Sequence, residues 1–187
     1  MMTHILKAFD VNYSMFVLVD MQEKFSKSIE GFDDCVDLIN RFLKACHLLD
    51  IPVVVTEQYP KGLGHIVSEL KNALPDNTPV FEKNTFSCWG SKDFASLLSS
   101  GSTETIILTG IETHICVQQT ALEALERGYN VILVQDCVGS NKLYKKELAI
   151  DLLRQKGVII TSFESLLFAW IKSSQHPEFK KISKLVQ

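Results

Sequence analysis

The chain has 187 residues, with 19 Lys/Arg against 22 Asp/Glu for a net charge of −3, and is 46% apolar and 22% charged. That length suits one domain over residues 1–187, given about 100–200 residues per domain, and the composition supplies one core. The slightly acidic balance argues against the basic stripe of a nucleic-acid binder, and no apolar run reaches the roughly 18 residues of a membrane span. The stretch from Met1 to Val11 has neither the basic-then-apolar layout of a signal peptide nor an arginine for a transit peptide, so a cytoplasmic protein is expected.

In chain order, Ser14 to Val19 is a continuous apolar run of strand length that stops at Asp20. Asp33 to Leu49 reads as a helix, with Val36, Ile39, Leu43, Cys46 and Leu49 at spacings of three and four. Ile51 to Val55 is a short β-branched second strand ending at Thr56, and a weaker third strand surrounds Val80 and Phe81. Thr105 to Thr109 is the fourth, punctuated by Gly110. A helix from Cys116 to Arg127 follows, stopped by Gly128. Val131 to Val134 is strand five, Tyr144 to Lys156 a helix ended by Gly157, Val158 to Ile160 strand six, and Phe163 to Lys172 a last helix. The Lys/Ser-rich tail beyond Lys172 reads as solvated surface. Apolar strands alternating with helices predict an α/β fold with a mostly parallel, six-stranded, Rossmann-like sheet covered by helices.

In such sheets functional groups collect beyond the carboxyl ends of the strands, where strand order reverses. Asp20 ends strand one and either caps the next segment or projects into a cleft; Gln22 and Phe25, within a turn of it, line the same cleft or pack. Cys116 stands where a buried strand turns into a helix. Free N–H groups and the helix dipole there lower a thiol pKa and can hold an oxyanion, although a lone cysteine is more often a small buried hydrophobe. Lys83, just past strand three, is either a solvated charge or a cation that orients a carboxylate and stabilises a thiolate.

The five cysteines include no CxxC pair, so reduced thiols are expected rather than disulfides or a cysteine zinc site. Of the five histidines, His47 reads as packing or partly exposed and His65 as loop surface. His114 reads as structural, pointing away from Cys116, and His176 lies in the tail; His4 completes the set. No zinc-protease spacing and no calcium loop is present, and neither GxGxxG nor GxxxxGK[ST] occurs, so neither a metal nor a nucleotide cofactor is expected.

The runs Phe16-Val17-Leu18-Val19-Asp20-Met21-Gln22, Thr56-Glu57-Gln58-Tyr59-Pro60, Glu82-Lys83 with Phe86-Ser87, and Gly110 to Val117 together resemble the isochorismatase-like cysteine hydrolases, and within them the isochorismatase domain-containing proteins. The resemblance extends over nearly the whole chain in consistent order. It implies a three-layer α/β/α fold, with Asp20 as general base, Lys83 as its charged partner and Cys116 as nucleophile. It also implies a non-proline cis peptide between Ile111 and Glu112, aiming the N–H groups of Glu112 and Cys116 into one oxyanion hole. Nicotinamidase relatives bind a metal through Asp and His residues after strand two; here Gln58 stands at the aspartate position with no adjacent histidine, so no metal centre is implied. True isochorismatases lack a cysteine at the position of Cys116, whose presence favours acyl chemistry over ether cleavage.

The expectation is a hydrolase of a small-molecule amide or related C–N bond, with Tyr59, Phe86 and Trp89 as pocket walls. Homo-oligomers are usual in the family, and the apolar face of the last helix is a surface to bury against another subunit. Two other readings stay open: a non-catalytic oligomeric scaffold, and a redox-sensing thiol protein in which Cys137 would be the partner of Cys116. Under the hydrolase reading, Asp20→Asn is expected to leave Cys116 in place but unreactive at neutral pH.

Overall fold

A computed structural model describes residues 7–187. The reading of His4 and of the first six positions lies outside the described residues. Six strands form one all-parallel sheet: β1 (Ser14–Val19), β2 (Val53–Gln58), β3 (Val80–Lys83), β4 (Thr105–Ile111), β5 (Asn130–Gly139) and β6 (Ile159–Thr161). Their order is β3-β2-β1-β4-β5-β6, so strand order reverses between β1 and β4.

Successive side chains of a strand point to opposite faces, and the sheet divides its apolar residues accordingly. Phe16 and Leu18 of β1, Ile107 of β4, and Ile132 and Val134 of β5 face a layer built from the helices Phe32–Leu48 and Phe163–Ile171. Met15, Val17, Val19, Ile106, Leu108, Val131 and Leu133 face the helices Lys92–Ser100, Gln118–Glu126 and Leu143–Gln155. The result is the three-layer α/β/α arrangement. The all-parallel sheet is covered on both faces, which is why the strands read as unbroken apolar runs.

Three parts differ from the sequence reading. β2 begins at Val53 and continues through Thr56, Glu57 and Gln58, because paired strands on either side and specific partners satisfy those polar side chains. β5 runs five residues past Val134 to Gly139, pairing with Gly110 and Ile111 after a register shift. The tail is not simply solvated: Phe179–Leu185 is a helix whose Ile182 is fully buried, packed with Phe179 and Leu185 against the Phe32–Leu48 layer. The Phe163–Ile171 helix therefore spends its apolar face (Phe163, Leu166, Leu167, Trp170 and Ile171) in its own core rather than presenting it to a second subunit. The helix Lys92–Ser100 carries only two fully buried apolar side chains, Phe94 and Leu98, too thin a stripe for periodicity to reveal. Among the described residues, no helix is long and apolar enough to cross a membrane.

Gly110 has φ +103°, and a Cβ there would stand 2.0 Å from the Val19 carbonyl oxygen. Only glycine lets β4 approach β1 this closely, at the point where strand order reverses.

Candidate active site

Asp20 follows β1, Lys83 ends β3, and Cys116 lies one short turn beyond β4, so all three reach the carboxyl edge of the sheet. Asp20 does not cap a helix. Its backbone is left-handed (φ 51°), a strained conformation for a residue with a Cβ, and its side chain is buried. Lys83 Nζ donates to Asp20 Oδ2 at 2.6 Å, and neither side chain is more than 1% exposed. Lys83 also donates to Gln58 Oε1 at 2.7 Å and to the Phe86 carbonyl at 3.1 Å, so a buried ammonium is enclosed by acceptors. The Thr56 hydroxyl donates 2.8 Å to Asp20 Oδ1. The Cys116 thiol lies beside the same carboxylate and is itself only 7% exposed.

Cys116 sits inside a single π-helical turn, Thr113–Val117, that precedes the helix Gln118–Glu126. Its carbonyl accepts from Thr120 Oγ1 at 2.6 Å, and Thr113 Oγ1 donates to the Gly139 carbonyl at 2.9 Å, tying the turn to β5. The peptide bond Ile111–Glu112 is cis. His114 points to Ser140, with Nδ1 3.0 Å from its hydroxyl.

Burial raises the thiol pKa of Cys116, and the neighbouring Asp20 charge raises it further, more than Lys83 lowers it. This reverses the lowered pKa expected from a helix start: desolvation and a like charge at contact outweigh the dipole of one turn. Burial likewise raises Asp20 above the ordinary carboxylate range despite Lys83. For Lys83, burial alone would lower the pKa, but Asp20 and the nearby thiols outweigh it, and the ammonium is held charged. The 2.6 Å contact is the geometry of a carboxylate–ammonium pair, and it lies beside a thiol whose ionisation burial opposes.

The remaining residues singled out in the sequence distribute unevenly. Tyr59 and Phe86 are exposed on either side of Lys83: the Tyr59 N–H donates to the Lys83 carbonyl, and the Phe86 carbonyl accepts from Nζ. Phe25 is half-buried against the core. Gln22 packs inside the fold. Fully buried, it donates to the Gln58 and Gly64 carbonyls and accepts from the Gln58 N–H, bracing the end of β2. Trp89 is buried: its ring stacks on Tyr129 and lies under the Arg127 guanidinium, and its indole N–H donates to the Thr120 carbonyl. Cys137 faces the opposite core layer with Cys35 and Cys46, away from Cys116, which removes it as a partner for that thiol. His65 is exposed and its Nδ1 contacts the buried Glu57 at 2.9 Å; His47 is exposed.

Thr56, Gln58 as a lysine partner, Thr120 and Cys88 are the site neighbours that sequence reasoning missed. Thr56 had a signal, since β2 lies beside β1 and its end falls level with Asp20. A cavity of about 600 Å³ between the Phe32–Leu48 and Phe179–Leu185 helices shares no residue with the trio. Among the described residues, no three His, Cys, Asp or Glu side chains gather as a metal cluster.

Residues 14–165 match the family described as the isochorismatase domain. The chain belongs to the isochorismatase family. It is 37% identical over 174 residues to isochorismatase domain-containing protein 1 of Salmo salar, covering 93% of this chain; it spans only 61% of that relative's length. Among solved structures, that of the MAR1 ribonuclease from Caenorhabditis elegans matches with a TM-score of 0.89 and 39% identity, over 95% of this chain and 91% of the other. The YcaC gene product of Escherichia coli, described as an octameric hydrolase of unknown specificity, shares the fold with a TM-score of 0.83 at 21% identity, covering 94% of each chain.

Proposed function

We propose that this member of the isochorismatase family is a cysteine hydrolase of a small-molecule amide or related C–N bond, within a single domain of residues 1–187. The observation that carries the reading is the buried Asp20–Lys83 pair, 2.6 Å apart, with the Cys116 thiol beside it. Asp20 takes the thiol proton as sulfur attacks the carbonyl carbon. The trio is neutral overall both before and after that transfer, since carboxylate, ammonium and thiol become carboxylic acid, ammonium and thiolate. No net charge is added to a buried site, the step that low dielectric penalises most. The backbone N–H groups of Glu112 and Cys116 receive the oxyanion. Asp20 then returns its proton to the leaving amine, and activates water to hydrolyse the thioester.

The small exposure of Cys116 restricts substrates to slender groups, with Tyr59 and Phe86 as the rim they pass. No metal or nucleotide is invoked, and reduced cysteines support a cytoplasmic setting. Homo-oligomerisation is part of the proposal. Leu143, Tyr144 and Leu148 are each more than half exposed on the helix packed beside the Cys116 turn, and the E. coli neighbour is an octamer.

The test is a panel of small amides and ureides, with RNA as a further arm because of the C. elegans neighbour's name, and Cys116→Ala as the blank. Turnover of an amide or ureide with an acyl adduct on Cys116 by mass spectrometry is the expected result. Turnover that persists in Cys116→Ala, or confined to RNA, overturns the reading.

A further inference from the structure

Cys88 has no part in the proposed hydrolysis, yet hydrogen bonds join its backbone to that of Cys116 and its sulfur to the carboxylate beside the Cys116 thiol. Its sulfur is 3.5 Å from Thr56 Oγ1, and that hydroxyl donates at 2.8 Å to Asp20, the carboxylate beside the Cys116 thiol. Its backbone N–H donates at 3.0 Å to Thr120 Oγ1, which in turn donates at 2.6 Å to the Cys116 carbonyl. One threonine hydroxyl therefore links the two backbones, and another joins the Cys88 sulfur to the carboxylate beside the Cys116 thiol. Both cysteines belong to the same core layer, whereas Cys35, Cys46 and Cys137 all lie across the sheet.

We propose that Cys88 is the resolving thiol of this site: when a hydroperoxide oxidises Cys116, Cys88 captures the product as an intramolecular Cys88–Cys116 disulfide. The inference rests on the reading that Cys116 gives its proton to Asp20. In the first step Asp20 takes that proton and the sulfur attacks the hydroperoxide. An S–O bond forms, the O–O bond breaks, and the departing alkoxide takes the proton from Asp20 and leaves as alcohol. Cys116 is then a sulfenic acid and Asp20 is ionised again. In the second step the Cys88 proton passes through Thr56 to Asp20 and the Cys88 sulfur attacks the Cys116 sulfur. An S–S bond forms, the S–O bond breaks, and hydroxide leaves with the Asp20 proton as water. Two thiols are oxidised and one hydroperoxide is reduced.

The arrangement assigns the two sulfurs different exposures. Cys88 is fully buried whereas Cys116 is 7% exposed, so a reagent from solvent meets Cys116 first. Capture as a disulfide would stop Cys116 short of the irreversible sulfinic acid and leave a bond that thiol reductants reopen.

The experiment exposes wild type, Cys88→Ser, Cys88→Ala and Cys137→Ala to hydrogen peroxide, followed by alkylation under denaturing conditions and peptide mass spectrometry. Wild type and Cys137→Ala are expected to yield a Cys88–Cys116 linked peptide that dithiothreitol abolishes. Both Cys88 variants are expected to accumulate sulfinic acid at Cys116 that dithiothreitol does not reverse. Should those variants not fold, the linked peptide in wild type and Cys137→Ala decides alone. Sulfinic acid at Cys116 of wild type without a linked peptide, or a Cys116–Cys137 link, overturns the resolving role. An acyl adduct on Cys116 without peroxide crosslinking would sink this inference alone; a Cys116 inert to both acyl substrates and peroxide would sink the hydrolase reading with it.

Discussion

The Lys83 ammonium lies 2.6 Å from Asp20 Oδ2 in a place that water scarcely reaches, and Lys83 spans from the third strand of the chain, past β2, to the end of the first. Such a pair is costly to break on one side only, because the surviving charge keeps its desolvation cost without its partner; the loss is typically about 3–5 kcal/mol.

Asp20→Asn removes the base and keeps the left-handed backbone, which Asn also tolerates. Turnover should fall by roughly 10²–10⁴-fold, the usual contribution of a general acid–base group. The thiol should move the other way. Both Asp20 contributions raise the Cys116 pKa and Lys83 lowers it, so the variant should form thiolate at lower pH than wild type. Burial, the largest influence on that thiol, is unchanged in the variant, so the expectation of a thiol unreactive at neutral pH stands. Ultraviolet titration of the thiolate tests the downward shift, and an unchanged or higher midpoint would refute it.

Lys83→Met should raise Asp20 further, since burial already raises it and Lys83 is the largest opposing influence. The acid limb of the pH–rate profile should move upward. A carboxyl whose folded pKa lies above its unfolded value gives stability that is complete below the unfolded value and lost as pH rises through the folded one. The variant's stability deficit against wild type should therefore shrink as the solution is acidified. Denaturation midpoints across the acid range measure this; a deficit that grows towards low pH contradicts it.

Thr56→Val keeps the shape of the side chain and removes the donor to Asp20 Oδ1. Hydrogen bonds to charged groups contribute about 1.5–3 kcal/mol, so kcat should fall by roughly tenfold or more with KM little changed. The Thr56 bond lowers the Asp20 pKa, so the acid limb should again rise. A profile superimposable on wild type would show that Thr56 does not position the base.

The strand end before Asp20, the strand beside Lys83 and the strand-to-helix turn that carries Cys116 were legible in the sequence, whereas the left-handed backbone of Asp20 and the π-helical form of the turn were not. Strand ends came from apolar runs meeting Asp20, Gly110 and the Phe81–Lys83 segment, and the family motifs placed the trio. The ionisation of Cys116 was not legible, because its sign depends on three-dimensional burial and on a carboxylate distant in sequence. Nor was the job of Gln22, whose amide partners on Gln58 and Gly64 appear only once two loops meet. Trp89 read as a pocket wall from its residue type; its stacking partner Tyr129 belongs to a later segment.

Gly110→Ala should be among the most damaging single substitutions. The new methyl would stand 2.0 Å from the Val19 carbonyl oxygen and the backbone would keep φ +103°. The backbone conformation alone costs about 1–3 kcal/mol, and β4 must also move off β1. Chemical denaturation should show a loss above that range; a change within about 0.5 kcal/mol, the ordinary surface scatter, would contradict the close approach.

Ile182→Ala tests the C-terminal helix, with an expected loss of about 2–5 kcal/mol for a large buried aliphatic side chain. A solvated tail would lose next to nothing in the same melt.

The outermost strands, β3 and β6, have four and three residues, and each lies at one flank of the sheet. Brief flanks offer few open amide and carbonyl positions to a stray strand, so crowding at high protein concentration should not readily seed cross-strand aggregates. Any specific self-association is thereby steered towards helical surfaces, where side chains rather than exposed backbone decide which copy is accepted.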